Sequence, residues 1–186
     1  MFPQWSLANK PHDTRCYDKN RVIQRFPRLR VVDKTLRLTH RLIPAITVGE
    51  GKLLMLKYLL DTKIVIYVIK RRPSKALKSF NRHASQMAIS SITLAELMHG
   101  VEKSEQPGQN LLIVEDFCSR LEVLDYGSKA AAHYGAIRAE LERKGTTIGV
   151  NDLHIAGHAR SEGLIVVTNN LKELKRVPGL QVENWV

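Results

Sequence analysis

The sequence predicts an α/β fold with a mainly parallel central sheet covered by helices on both faces. Three observations predict it. From residue 55 onward, short apolar runs of four to six residues alternate with segments of helical character. The first run is mostly apolar, and short β-runs separated by helices imply a mainly parallel sheet covered on both faces. Four acids, Asp61, Glu96, Asp152 and Glu173, each stand just past a predicted element boundary, and the carboxyl ends of parallel strands are where such sheets collect ligands.

A chain of 186 residues, 44% hydrophobic and 25% charged, is ordinary globular material with room for one well-filled domain. The longest apolar run before residue 55 covers 42–48 and is broken by Pro44, too short to span a bilayer. The first residues lack the basic-then-apolar order of a signal peptide. Cys16 and Cys118 stand far apart in sequence and form no metal-type pair. A reducing, cytoplasmic location without a membrane is the expectation. The net charge of +11 is concentrated in residues 1–54, which hold 11 Lys/Arg against 4 Asp/Glu. Polyanions such as nucleic acid are natural partners for that balance, although a solvated basic face has the same composition.

The chain divides at Met55. Residues 1–54 hold Pro3, Pro11, Pro27 and Pro44, scattered arginines and no sustained hydrophobic period, so no independent core is expected there. This basic N-terminal extension reads as a disordered arm, a partner-binding segment or a mis-assigned start. The last reading has a specific support. Gly49-Glu50-Gly51 requires purine-rich codons resembling a bacterial ribosome-binding site, three codons ahead of Met55.

Residues 55–186 form the predicted domain. A first strand over 55–60 delivers Asp61 to its carboxyl end, and a helix follows through 64–69. Ser74 is placed to cap a short basic helix running toward Arg82. A strand over 87–90 leads into a helix over 93–101. Pro107-Gly108 marks a loop before a helix over 110–119, and residues 121–124 form a third strand. Ser128 is placed to cap a long helix to 144, ended by Gly145. A Gly-rich loop opens a helix over 152–162 that Gly163 closes, followed by a strand over 164–168 and a short helix over 171–176. Residues 180–185 form a last strand at an edge.

Each acid has a structural explanation. Thr93-Leu94-Ala95-Glu96 fits a capping box, Asn151-Asp152 fits a helix N-cap, Glu173 suits a helix first turn, and Asp61 suits a turn. Together they point further. A parallel sheet turns all its strand-to-helix junctions to one edge, and carboxylates gathered there repel unless a cation sits among them. Oxygen donors without histidine or cysteine suit Mg²⁺ or Mn²⁺, ions that clamp phosphate oxygens and activate water. For a basic protein with such a site, the expected activity is that of a phosphodiesterase acting on nucleic acid. Other motifs fare worse. His154 and His158 have zinc spacing, but no glutamate follows His154 and no third ligand is evident. Gly145 and Gly149 lead into no Gly-Lys-Ser/Thr, and Ser90-Ser91 has no nucleophile-elbow context. An aspartyl phospho-acceptor domain also places an aspartate at a strand end, but leaves Glu96 and Glu173 without a role.

Leu59-Leu60-Asp61-Thr62, residues 89–97, residues 148–152 and residues 166–173 resemble the PIN-domain ribonucleases, and more narrowly the VapC toxins of bacterial toxin–antitoxin pairs. The resemblance runs from Met55 to Val186. It implies a PIN-like α/β/α sandwich and a Mg²⁺- or Mn²⁺-dependent endoribonuclease, in which water activated by the metal attacks phosphorus without a covalent enzyme intermediate. It also implies a cognate antitoxin whose segment lies in the acidic groove, a homodimer, promoter DNA reached only through the antitoxin, and a structured RNA substrate such as tRNA. By the same resemblance Asp61, Glu96 and Asp152 are the core metal-holding and catalytic acids. Glu173 is a further one, and Thr62, Asn169 and Asn170 are polar support. One departure stands beside the site: Lys63 occupies a position where members usually carry asparagine or a small polar residue. Its ammonium is expected to pair with Asp61 or Glu96 and compete with the metal for the same oxygens, the alternative being that the side chain swings out to solvent or to an RNA phosphate.

Overall fold

The computed structural model describes residues 56–186; the N-terminal extension and Met55 lie outside them. In chain order the elements are β1 (Tyr58–Leu60), α1 (Thr62–Ile69), α2 (Ser74–Arg82), β2 (Met87–Ser90), α3 (Ser91–Glu102), α4 (Pro107–Cys118), β3 (Glu122–Leu124), α5 (Ser128–Arg143), α6 (Val150–Glu162), β4 (Ile165–Val167), α7 (Leu171–Leu174) and β5 (Val182–Glu183). All strand pairings are parallel, in the order β3-β2-β1-β4-β5.

Both faces of the sheet are covered, which is why β1 and β2 are buried at every position. Tyr58 and Leu60 face one apolar cluster with Ile64, Val65, Phe80, Met87, Ile89 and Phe117. Leu59 and Ala88 face the other, with Ile137, Leu141, Ile155, Ala156 and Val166. The chain therefore forms an α/β/α sandwich, with α1, α2 and α4 on one side and α5 and α6 on the other. Helices α5 and α6 meet closely at Gly157, where an added Cβ would stand 2.9 Å from the Tyr134 backbone nitrogen and 3.1 Å from the Ala130 carbonyl oxygen.

Several boundaries differ from the sequence expectation, each for a local reason. Ser74 and Ser128 are the first residues of their helices rather than caps; Pro73 and Gly127 hold the cap positions without side-chain bonds. Helix α4 begins at Pro107, since proline's missing N–H costs nothing in the first turn. Helix α3 starts directly after β2, capped by Ser90, whose hydroxyl accepts the Ile92 amide at 3.1 Å. Thr93 and Glu96 do not form a capping box. The Thr93 hydroxyl donates to the Leu60 carbonyl at 3.4 Å, and Glu96 is drawn to partners on other elements. Gly163 ends α6 in the left-handed conformation at φ 68°, as expected for a helix closed by glycine.

Strands β1, β2 and β3 progress outward to one edge, and the chain then returns to add β4 and β5 on the other side of β1. The switch in direction falls between β1 and β4. In open α/β sheets the crevice beyond the carboxyl ends at such a switch is where ligands bind.

Candidate active site

Asp61 follows β1 directly and is 5% exposed. Its backbone amide donates to the Val167 carbonyl at 3.0 Å, so the last rung between β1 and β4 fixes where its side chain leaves the sheet. The carboxylate Oδ2 accepts from the hydroxyl of Thr168, at the end of β4, at 2.8 Å. The same Thr168 oxygen accepts the Asn170 amide at 2.9 Å. Asn170 in turn donates from Nδ2 to Oδ2 of Asp152 at 2.9 Å. Asp61 and Asp152 thus hang on one hydrogen-bonded strip at the end of β4. Asp152 lies in the first turn of α6, where the helix dipole favours an anion.

Glu96 joins from α3. Its Oε2 accepts from the Thr62 hydroxyl, and its Oε1 from Asn151 Nδ2 at 2.8 Å. Glu173 sits at the rim and accepts the Gly149 amide at 3.2 Å. That bond ties α7 to the N-cap of α6, the helix that carries Asn151 and Asp152.

Burial pushes the Asp61 carboxyl above the usual carboxylate range, and the charge of Glu96 adds to it, against the Thr168 and Thr62 hydrogen bonds. Burial likewise pushes Asp152 up to about 6, reinforced by the charges of Asp61 and Glu173 and opposed by the Asn170 bond. Glu173 is held below its usual value, first by the Gly149 amide. Lys63 is exposed. It lowers Asp61 and Asp152 through its field and forms no ion pair among the described residues. The expected direct pairing with Asp61 or Glu96 is thus replaced by a longer-range interaction with Asp61 and Asp152.

The structure brings Asp61, Asp152, Glu96, Glu173, Thr62 and Asn170 into one connected cluster. Asn169 departs from it: its Nδ2 donates to the Tyr67 hydroxyl at 3.0 Å, and its Oδ1 is buried without a partner among the described residues. His154 and His158 are likewise committed elsewhere, through Nδ1 to the Tyr126 and Ser90 hydroxyls at 3.0 and 2.9 Å.

The PIN domain model matches residues 58–180. Ribonuclease VapC2 of Haemophilus influenzae is 62% identical over 132 residues, which cover 71% of this chain and all of the relative. The chain belongs to the VapC branch of the PIN-domain family. The tRNA(fMet)-specific endonuclease VapC of Salmonella typhimurium is 57% identical over 131 residues, 70% of this chain and 99% of the relative. The crystal structure of DNA-bound VapBC from Salmonella typhimurium superposes with a TM-score of 0.69 at 57% identity, over 71% of this chain and all of that one.

This VapC-type chain is an endoribonuclease toxin. Among the described residues, no three acidic, histidine or cysteine side chains are gathered closely enough to enclose a metal alone. Mg²⁺ takes one or two carboxylates and fills its shell with water and substrate phosphate oxygens. The donor set fits: oxygen only, with two carboxyls driven upward by burial and by neighbouring acids' charges, which a bound cation relieves. A cleft of about 500 Å³ is lined by Ile92, Ala95, His99, Asn151 and His154 and by Glu96, the one site acid that faces it.

Sequence reasoning missed Thr168 and Asn151. Each holds a site acid from a distant element: Thr168 lies 107 residues from Asp61 and Asn151 lies 55 from Glu96. A small polar residue at the end of a strand beside the switch point was the available signal for Thr168.

Proposed function

We propose that this endoribonuclease works with Mg²⁺ or Mn²⁺ held by Asp61 and Asp152, with Glu96 and Glu173 completing the acidic wall. The observation that carries the reading is the pair of raised carboxyls strung on one Thr168–Asn170 strip at the β1/β4 switch point. When bound, the ion neutralises phosphate oxygens and acidifies water. Thr168 and Asn170 orient the Asp61 and Asp152 oxygens, and Thr62 and Asn151 hold Glu96 within the cleft. Initiator tRNA is the proposed substrate, supported by the specificity named for the Salmonella relative. A cognate antitoxin, promoter DNA reached through it, a homodimer and a cytoplasmic location complete the proposal. It is supported by the DNA-bound toxin–antitoxin relative. We further propose that the functional chain begins at Met55, since the relative's whole length matches 132 residues, the number from Met55 to Val186. Peptides from residues 15–50 in the naturally expressed protein would refute that start.

The purified protein is expected to cut initiator tRNA with Mg²⁺ or Mn²⁺ and to stop with EDTA. Cleavage that survives EDTA rejects the mechanism. Replacing Lys63 by asparagine is expected to raise Mg²⁺ affinity by about threefold to tenfold, because its field opposes the carboxylates' attraction for a cation from an exposed, screened position. A calorimetric Mg²⁺ titration that matches the parent's contradicts this. Lys63 also favours a second reading, a PIN-fold protein that acts by binding antitoxin or RNA with weakened catalysis. Growth arrest that persists in Asp152→Asn selects that reading.

A further inference from the structure

The acids account for cutting but oppose binding, since each repels the phosphates it must approach. The cations that offset this lie elsewhere. Residues 56–186 hold 18 Lys/Arg and 14 Asp/Glu; residues 62–95 hold seven of those cations and no acid, leaving 11 against 14 in the rest. All the positive excess of the described domain therefore comes from one segment.

Five of those cations, Arg71, Arg72, Lys75, Lys78 and Arg82, are exposed and follow one another from the end of α1 along α2. Helix α2 turns Ala76 and Phe80 into the core, which leaves Lys75, Lys78 and Arg82, spaced by three and four residues, in one outward stripe. None of the five is ion-paired among the described residues, whereas Arg120, Arg138 and Lys144 each hold an acid one turn away. Arg71 is more telling. The Arg72 amide reaches the Tyr67 carbonyl and the Arg71 amide reaches that of Val68, both at 3.0 Å, and Arg71 has φ 55°. This is the left-handed closing position of helix α1, which glycine fills most cheaply. An arginine there sets a cation where backbone preference asks for none.

The surface stands away from the acids. Helix α1 leaves Asp61 at the carboxyl edge and runs back about 12 Å, and after α2 the Gln86 carbonyl accepts the Lys57 and Tyr58 amides where β1 begins. The stripe thus flanks the amino edge of the sheet. Resting on the proposed nuclease reading, we infer that this surface grips the phosphate backbone of the folded RNA substrate, while a distant part of the same molecule lies on the acids. Phosphate contacts of this kind set affinity and orientation without reading sequence.

The test is binding of fluorescent initiator tRNA to the full chain in EDTA across a range of salt concentrations. Lys75→Gln/Lys78→Gln/Arg82→Gln is expected to weaken binding about tenfold at physiological salt and to flatten the log K against log salt slope by about 2. With Mg²⁺, KM rises by the same factor while kcat holds. Arg71→Gly is expected to melt no lower than the parent and to bind two- to threefold more weakly, about one phosphate contact, so lost folding does not explain the loss. Unchanged affinity and slope in both variants overturn the inference. So does a loss confined to antitoxin binding, which assigns the surface to an acidic protein partner. Because binding is read without metal, a parent that cuts no RNA sinks the nuclease reading alone.

Discussion

Asp152→Asn is expected to lose about a thousandfold or more of cleavage and, in metal-free buffer at pH 7.5, to unfold at a higher temperature than the parent. The activity loss follows from metal assistance being worth several kcal/mol in the transition state, with about 1.4 kcal/mol per tenfold. The stability gain follows from linkage. The folded carboxyl is pushed up to about 6 from an unfolded value of 3.8, so the folded state holds the extra proton between those values. Stability from that proton is fully present below about pH 4 and is lost as pH rises through about 6. At neutral pH the ionised group costs up to about 3 kcal/mol, and about half that once its partial exposure to solvent is allowed for. Asparagine removes the charge and keeps an oxygen to accept from Asn170. Thermal unfolding in EDTA measures the difference, which should shrink as pH falls to 4. A variant that melts lower than the parent at pH 7.5 contradicts the account.

Gly157→Ala is expected to destabilise the protein by about 2–3 kcal/mol, the cost of forcing atoms into a packed helix contact. Its Cβ meets Tyr134 and Ala130 backbone atoms on α5, which have no rotamer to yield. Relief requires α6 to move, and α6 carries Asp152, so cleavage falls with stability. Gly135, on exposed α5 surface, has nothing within 4 Å of a Cβ. Gly135→Ala is expected to stabilise by up to about 1 kcal/mol, since alanine has the better helix propensity. Denaturant unfolding of the pair separates packing from propensity; equal effects would refute the close crossing.

The strands were legible because a doubly covered parallel sheet writes itself as apolar runs: the expected 87–90 strand is β2, residue for residue. The four acids were legible because topology, not local sequence, places strand ends together. Caps were not. Ser74 and Ser128 look like cap residues, yet Pro73 and Gly127 take those positions. The Thr93–Glu96 pair matches a capping box locally, but Thr62 and Asn151 compete for Glu96 and win. Asn169 stands beside Asn170 in sequence and turns to Tyr67 instead. Such outcomes depend on side chains that meet only in the folded chain.

The strand order also sets when the enzyme exists. A growing chain emits β1, β2 and β3 first and can pair them, but the other edge of β1 stays open until β4 arrives. Thr168 and Asn170, which hold Asp61 and Asp152, come with it. Such late, long-range pairing forms last. A nascent chain therefore carries Asp61 and Glu96 long before it carries Thr168 and Asn170. In this order of assembly an RNA-cutting protein gains the partners that hold Asp61 and Asp152 only when its synthesis is nearly complete.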